Sequence, residues 1–239
     1  MEIREIINKI IKEKEACGGV KSVVWLAAGG SNGGNYPAQY CMDREAKTIR
    51  SQMFTSNEFV YAPPKFVNEN TIAVVTSMRG TPETCVAAKL AKELGATTIG
   101  LYVQESLLTE TCDYNVKYDS IMIDESDQSK TNAALGMRIA IDIVDAVEGY
   151  ENYNDAMAAY DILDKVYNDA KAYCMPLAKE WAEKNKNEHV ISVMGSGPAF
   201  AAAYIFSICN IMEMLQIQSP TVNSCEFFHG PFEVLDKNE

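Results

Sequence analysis

Lys21-Ser22-Val23-Val24-Trp25-Leu26-Ala27-Ala28-Gly29-Gly30-Ser31-Asn32-Gly33-Gly34 is the stretch on which the fold turns. Its apolar run reads as a strand buried on both faces, the habit of a parallel sheet. A glycine-rich loop follows, then a helical pattern from about Asn35 to Lys47. Strand, glycine-rich loop and helix make an arrangement that can cradle a phosphate. Backbone N–H groups and the helix N-terminus face the anion, and glycine lets it come close. The glycines do not match GxGxxG with a ribose-binding acid, and there is no Walker GK[ST], so nucleotide binding has little support. A plain tight turn explains the loop equally well, and the loop alone leaves both readings open.

The unit recurs along the chain. Thr71 to Thr76 is a second buried strand, followed by Ser77-Met78-Arg79-Gly80-Thr81-Pro82-Glu83-Thr84. Thr81 is a natural N-cap, with Pro82 at the first helical position and Glu83 in the first turn. That helix is expected to run to about Leu94 and stop at Gly95. Capping accounts for Thr81 but not for Arg79 beside hydroxyls in a strand-to-helix loop. Strands are expected at Thr97 to Tyr102 and Val116 to Ile123, with a capped turn at Ser106 to Thr109. Ile3, Ile6, Ile7, Ile10 and Ile11 space a helix over Glu2 to Ala16. Pro63-Pro64 marks Asn57 to Phe66 as a connection around a short helix. Ser129 to Glu148 is a strong helix ended by Gly149. Tyr153 to Lys186 reads as one long helix or two, kinked or broken at Pro176.

Val190 to Met194 reads as a buried strand. Gly195-Ser196-Gly197-Pro198 and a helical pattern from Ala199 to Leu215 come next, and Thr221 to Cys225 is strand-like. This echoes Lys21 to Asn35 and suggests two doubly wound halves. The expected fold is α/β, parallel sheets flanked by helices. The divisions are a first subdomain over 1–150, linking helices over 151–187 and a second subdomain over 188–239. Ligands of such sheets gather at the strand C-terminal ends, where Ser31, Ser77 and Gly195 fall.

Glu213 is the only charged or imidazole side chain between His189 and Glu226, and its neighbours are Ile211, Met212, Met214 and Leu215. Such a carboxylate either points into water at a helix end or sits in a dry pocket that suits it to be a general base. Sixteen positions on, His229, one of two histidines, stands before Gly230-Pro231. It is expected in a turn ahead of a helix.

Composition narrows the classes. A 47% hydrophobic, 23% charged chain of 239 residues suits a folded globular protein. The net charge of −12 makes duplex nucleic acid and anionic membrane poor partners. Val190 to Met212 is uncharged, but a Gly-Ser-Gly-Pro break leaves too few helical residues for a membrane span. Seven cysteines without a CxxC argue against zinc and thioredoxin-like roles. No secretory signal is visible after Met1, so a cytoplasmic location with reduced thiols is expected.

The Glu213 helix and the Glu226-Phe227-Phe228-His229-Gly230-Pro231-Phe232-Glu233 segment resemble the sugar isomerase (SIS) family. The match is nearest to the fructosamine 6-phosphate deglycases and the isomerase half of glucosamine-6-phosphate synthase. Ser224-Cys225 replaces the usual Ser/Ala-Gly before Glu226. The Gly30-Ser31 loop is similar to the family's CGGS loop, with Ala28 at the cysteine position. Ser77, Gly80 and Thr81-Pro82-Glu83-Thr84 match its main phosphate loop, less one residue between Gly80 and Thr81; a contact from Arg79 could offset that loss.

The resemblance implies two flavodoxin-like SIS subdomains, the second incomplete at its C-terminus. It implies a sugar 6-phosphate held by Gly30, Ser31, Ser77, Gly80 and Thr81, to which Arg79 and, in the second Gly/Ser turn, Ser196 are added as candidates from their place in the loops. Glu213 would be the base and His229 the acid, the latter supplied across a homodimer interface, with no metal or organic cofactor. The implied activity is deglycation of fructosamine 6-phosphates. An aldose–ketose phosphosugar isomerase and a non-catalytic SIS sugar-phosphate-binding module are the alternatives. The family continues beyond the His-Gly-Pro motif, so a chain truncated in its second subdomain is a further expectation, with loss of activity as the alternative.

Overall fold

The apolar run after Lys21 becomes β1 (Ser22–Ala27), buried at all six positions. The computed structural model describes residues 2–120 and 127–235 of the chain. The chain divides into two units, Met1–Asn168 and Asp169–Glu239. In the first unit β2 (Arg50–Thr55), β3 (Thr71–Thr76), β4 (Thr97–Tyr102) and β5 (Tyr114–Lys117) join β1 in one sheet. The order is β2-β1-β3-β4-β5, and every neighbouring pair is parallel. The expected α/β fold is present. Part of the strand expected over Val116 to Ile123, residues 121–123, lies outside the described residues.

Alternation along the strands builds two cores. Val23, Trp25, Ile72, Val74, Ile99 and Leu101 face one side. There α1 (Ile3–Lys14), α2 (Gly29–Glu45) and α6 (Asn132–Glu148) cover them with Ile7, Ile10, Met42, Ile139 and Ile143. Val24, Leu26, Ala73 and Val75 face the other side, under α3 (Ser56–Tyr61), α4 (Pro82–Glu93) and α5 (Leu107–Thr111). Each large apolar side chain buried this way stabilises the fold by about 1.5–3 kcal/mol. The chain leaving β1 therefore turns to one face, and the chain leaving β3 to the other. Adjacent parallel strands whose connections diverge leave a crevice between their C-terminal ends.

Two sequence expectations need correcting here. β2 has no counterpart among the expected strands, because it is an edge strand. Arg50, Ser51 and Gln52 carry no apolar signal, and only Phe54 in it is buried. The helix after β1 starts at Gly29 rather than Asn35. Gly29 has φ +57°, so the loop after β1 is reduced to a sharp turn at Ala28-Gly29 that leads straight into the helix. Gly34 is pressed against α6, where a Cβ would collide with the Asn132 amide. The glycine run is thus the first turns of α2, seated on its neighbour.

Polar ties fix the helices. The Asp142 carboxylate, with no exposed surface, accepts from Arg138 Nε at 2.9 Å and Tyr153 Oη at 2.7 Å. Arg4 reaches it at 3.4 Å and pairs with Asp145 at 2.7 Å, joining α1 to α6. Glu148, at the end of α6, accepts the Lys47 and Thr48 N–H groups and the Thr48 hydroxyl at 2.6 Å, and the Ile49 N–H at 3.1 Å. That carboxylate holds the connection from α2 to β2.

α7 (Tyr153–Asn185) is one continuous helix containing Pro176, so the proline does not divide it. Not one of its 33 residues is buried. In the second unit β6 (Val193–Gly195) and β7 (Thr221–Asn223) form a parallel pair. Val190 and Met194, expected to be buried, are 53% and 52% exposed. Two strands of three residues have no inner strand to enclose them. α8 (Ala199–Ile205) continues into a π-helical segment, Phe206–Met214. The Ser207 hydroxyl donates to the Ser219 carbonyl and the Ser219 hydroxyl to the Ile191 carbonyl, tying this segment to the chain before β6. Among the described residues no helix is long and apolar enough to cross a membrane.

Candidate functional site

Parallel pairing of β1 with β3, Leu26 opposite Val75, sets the two following loops side by side. The first carries Gly30 and Ser31 into the opening turn of α2. The Ser31 side chain lies near Tyr118. Burial pushes the Tyr118 hydroxyl's pKa up, an effect that Ser31 partly offsets. Tyr118 therefore stays protonated at neutral pH.

The second loop runs from Ser77 to Thr81. Ser77 is buried, and its N–H donates to the Leu101 carbonyl at 3.0 Å. Its hydroxyl donates to the Thr81 hydroxyl at 3.1 Å and accepts the Thr81 N–H at 2.9 Å. Thr81 stands at the N-cap of α4 as expected, but its hydroxyl does not cap the helix. It is turned to Ser77 instead, so that the loop closes on itself. Gly80 has φ +74°, and a Cβ there would strike the Ser106 side chain, so only glycine fits without strain. Arg79 is exposed, and its guanidinium has no partner among the described residues. Two hydroxyls, a guanidinium unpaired among the described residues and the first turns of two helices thus lie at the C-terminal ends of β1 and β3, where such a sheet takes its ligands. Such a donor-rich rim suits an anion.

The second unit holds the remaining candidates. Ser196 is half-buried in the turn between β6 and α8. Glu213 lies in the π-helical segment, and π-turns are frequent at functional sites. It is exposed, so of the two placements open to it the described residues of the single chain give the water-facing one, not the dry pocket. Ile211 is the last buried residue of the segment, and Met212, Met214 and Leu215 are themselves exposed. His229 is exposed in a turn, its N–H donating to the Glu226 carbonyl at 2.9 Å, ahead of a short 3-10 turn, Pro231–Val234. A cavity of about 900 Å³ lies in this unit, walled by Trp181, Ile191, Met194, Phe206, Ile211 and Leu215 among others. Ser196, Glu213 and His229 do not line it. Among the described residues no three His, Cys, Asp or Glu side chains gather to hold a metal.

Sequence reasoning missed three supports around these loops: Tyr118, Asn35 and Thr76. None sits in a recognisable motif, and only the folded sheet brings them to the loops.

Donor groups at the switch point of a parallel 2-1-3-4-5 sheet place the chain among the doubly wound α/β proteins, and the comparisons make this specific. The Bacillus subtilis (strain 168) fructosamine deglycase FrlB is 34% identical over 221 residues, covering 92% of this chain and 67% of that protein. A Salmonella typhimurium LT2 structure, provisionally described as a phosphosugar isomerase, matches with TM-score 0.93 and 36% identity, over 99% of this chain and 71% of that one. A Bacillus subtilis structure of the same description gives 0.89 and 33%, over 98% and 72%. The C-terminal domain of glucosamine-fructose-6-phosphate aminotransferase from Francisella tularensis shares the fold, with TM-score 0.78 and 17% identity over 99% and 72%. No family model matches. The chain belongs to the sugar isomerase (SIS) family, alongside the fructosamine deglycase and phosphosugar isomerase-like proteins.

Proposed function

We propose that the protein deglycates fructosamine 6-phosphates. A ketosamine 6-phosphate and water would give glucose 6-phosphate and a free amine or amino acid. The observation that carries this reading is the similarity to a fructosamine deglycase across 92% of the chain. The rim of Ser31, Ser77, Arg79 and Thr81 supports phosphate as the handle, with Gly30 and Gly80 admitting it, and Ser196 is assigned to the substrate.

Glu213 would remove a proton from C1, next to the C2 carbonyl, giving an enaminol. Protonation at C2 would leave an aldimine at C1, and water would then release the amine. His229 would act as general acid, from the partner copy of a homodimer. Exposed Met212, Met214 and Leu215 around Glu213 support a second copy, because covering them would also desolvate the carboxylate. No metal or organic cofactor takes part in this scheme, and the location would be cytoplasmic.

The exposure of Glu213 favours a second reading, a sugar-phosphate-binding module without chemistry. Incubation with a panel of fructose-amino-acid 6-phosphates, following glucose 6-phosphate, separates the two. Glu213→Ala and His229→Ala should each slow release by at least ~100-fold, the usual weight of a general acid or base. A wild type no faster than both variants leaves only the binding module.

A further inference from the structure

We infer that Asn35 is a positioning residue that sets the spacing of the two loops bordering the crevice. This rests on the phosphate reading above. The first turns of α2 hold Gly29, Gly30, Gly33 and Gly34, and each glycine weakens a helix by about 1 kcal/mol relative to alanine. Intrinsic propensity therefore does little to fix where Ser31 lies. One turn further on, Asn35 is wholly buried, and its Oδ1 accepts from the Thr76 hydroxyl at 2.7 Å. Thr76 is the last residue of β3, also wholly buried, and Ser77 follows it directly. One side-chain hydrogen bond thus clamps the helix that carries Ser31 to the strand that launches the Ser77–Thr81 loop.

The clamp is not there for stability alone. The Asn35 Nδ2 group is buried with no partner among the described residues. A buried donor left so is a cost, whereas an apolar pair of similar shape is neutral or stabilising at such a place. On the same face of α2, Asn32 is nearly buried and its Oδ1 is likewise without a partner. A polar pair kept where an apolar one would pack as well points to what the pair positions. Here that is the gap between two phosphate-facing loops.

The test measures binding of fructose 6-phosphate and of fructose by calorimetry, with thermal unfolding alongside. Asn35→Leu/Thr76→Val replaces the pair by apolar groups. It should unfold at the wild-type temperature or above and bind fructose 6-phosphate at least 5-fold more weakly. Thr76→Ser keeps the donor and should bind as the wild type does, while Thr76→Val should not. Wild-type affinity in the double variant, with Arg79→Ala still weakening binding, would overturn the inference and leave the phosphate reading standing. If the double variant does not fold, equal affinity of Thr76→Val and Thr76→Ser overturns it. A wild type that binds fructose and fructose 6-phosphate equally refutes the phosphate reading itself.

Discussion

Gly80→Ala is the substitution whose effect can be worked most fully from the geometry. At φ +74° an alanine pays for left-handed backbone, about 1–2 kcal/mol. Its Cβ would stand 2.6 Å from Ser106 Cβ, so the Ser106 side chain must move. Ser106 opens α5: its hydroxyl accepts the Leu108 N–H, and its N–H donates to the Thr109 hydroxyl. Losing such a cap costs about 1 kcal/mol. The expected loss is about 2–3 kcal/mol, or ~5–10 °C for a chain of this size.

The reporter is built in. Trp25 and Trp181 are the two tryptophans, and in a Trp181→Phe background Trp25 alone reports the first unit. Trp25 is fully buried, with its Nε1 donating to Ser51, so its fluorescence follows loss of the core in urea. The reasoning also predicts non-additivity. Ser106→Gly alone should destabilise, yet in the Gly80→Ala background it should cost nothing further, because it removes the collision. A Gly80→Ala variant within 0.5 kcal/mol of its parent, or two fully additive substitutions, would refute the account.

Two further outcomes are expected. Burial pushes the Glu148 carboxyl up, but donors from Thr48, Lys47 and Ile49 outweigh it and hold the group below the ordinary carboxylate value of 4.5. A folded pKa below the unfolded one gives stability that is present above about pH 4.5 and lost as pH falls through the folded value. The stability gap between wild type and Glu148→Gln should therefore be constant near neutrality and shrink in acid, measured by urea titration at each pH. Ile162, Val166, Tyr173, Leu177 and Trp181 recur at helical spacing along α7, each about half exposed or more. Sedimentation should show a dimer that Leu177→Glu/Trp181→Glu shifts towards monomer at equal concentration; unchanged sedimentation excludes this face as an interface.

How much of this was readable beforehand depended on burial. β1, β3 and β4 announced themselves because both faces of a central parallel strand are apolar. β2 did not, since Arg50-Ser51-Gln52 looks like a connection until the sheet gives it an edge. The start of α2 was hidden because a glycine run reads as loop wherever packing, here against Asn132, is invisible. The hydroxyls of the Ser77–Thr81 loop were legible by residue type, but the turning of Thr81 towards Ser77 depended on the loop's closure. The apolar neighbours of Glu213 suggested enclosure. Local composition says nothing about whether Met212, Met214 and Leu215 fold over a carboxylate or face outwards with it. The π-helical turn that carries it leaves no pattern in the sequence.

The thiols give the molecule a chemical clock. Cys85, on the inner face of α4, and Cys112, at the end of α5, are buried, and burial first of all pushes Cys112 up to about 12, so almost no thiolate forms there at neutral pH. Cys174 and Cys225, in the second unit, are exposed and open to alkylation at once. Under a slow alkylating reagent, mass spectrometry would register Cys174 and Cys225, with the exposed Cys17 of the first unit, immediately and the deep pair only when the layer over the sheet lifts. The delay between the two would be a direct reading of how often that layer opens.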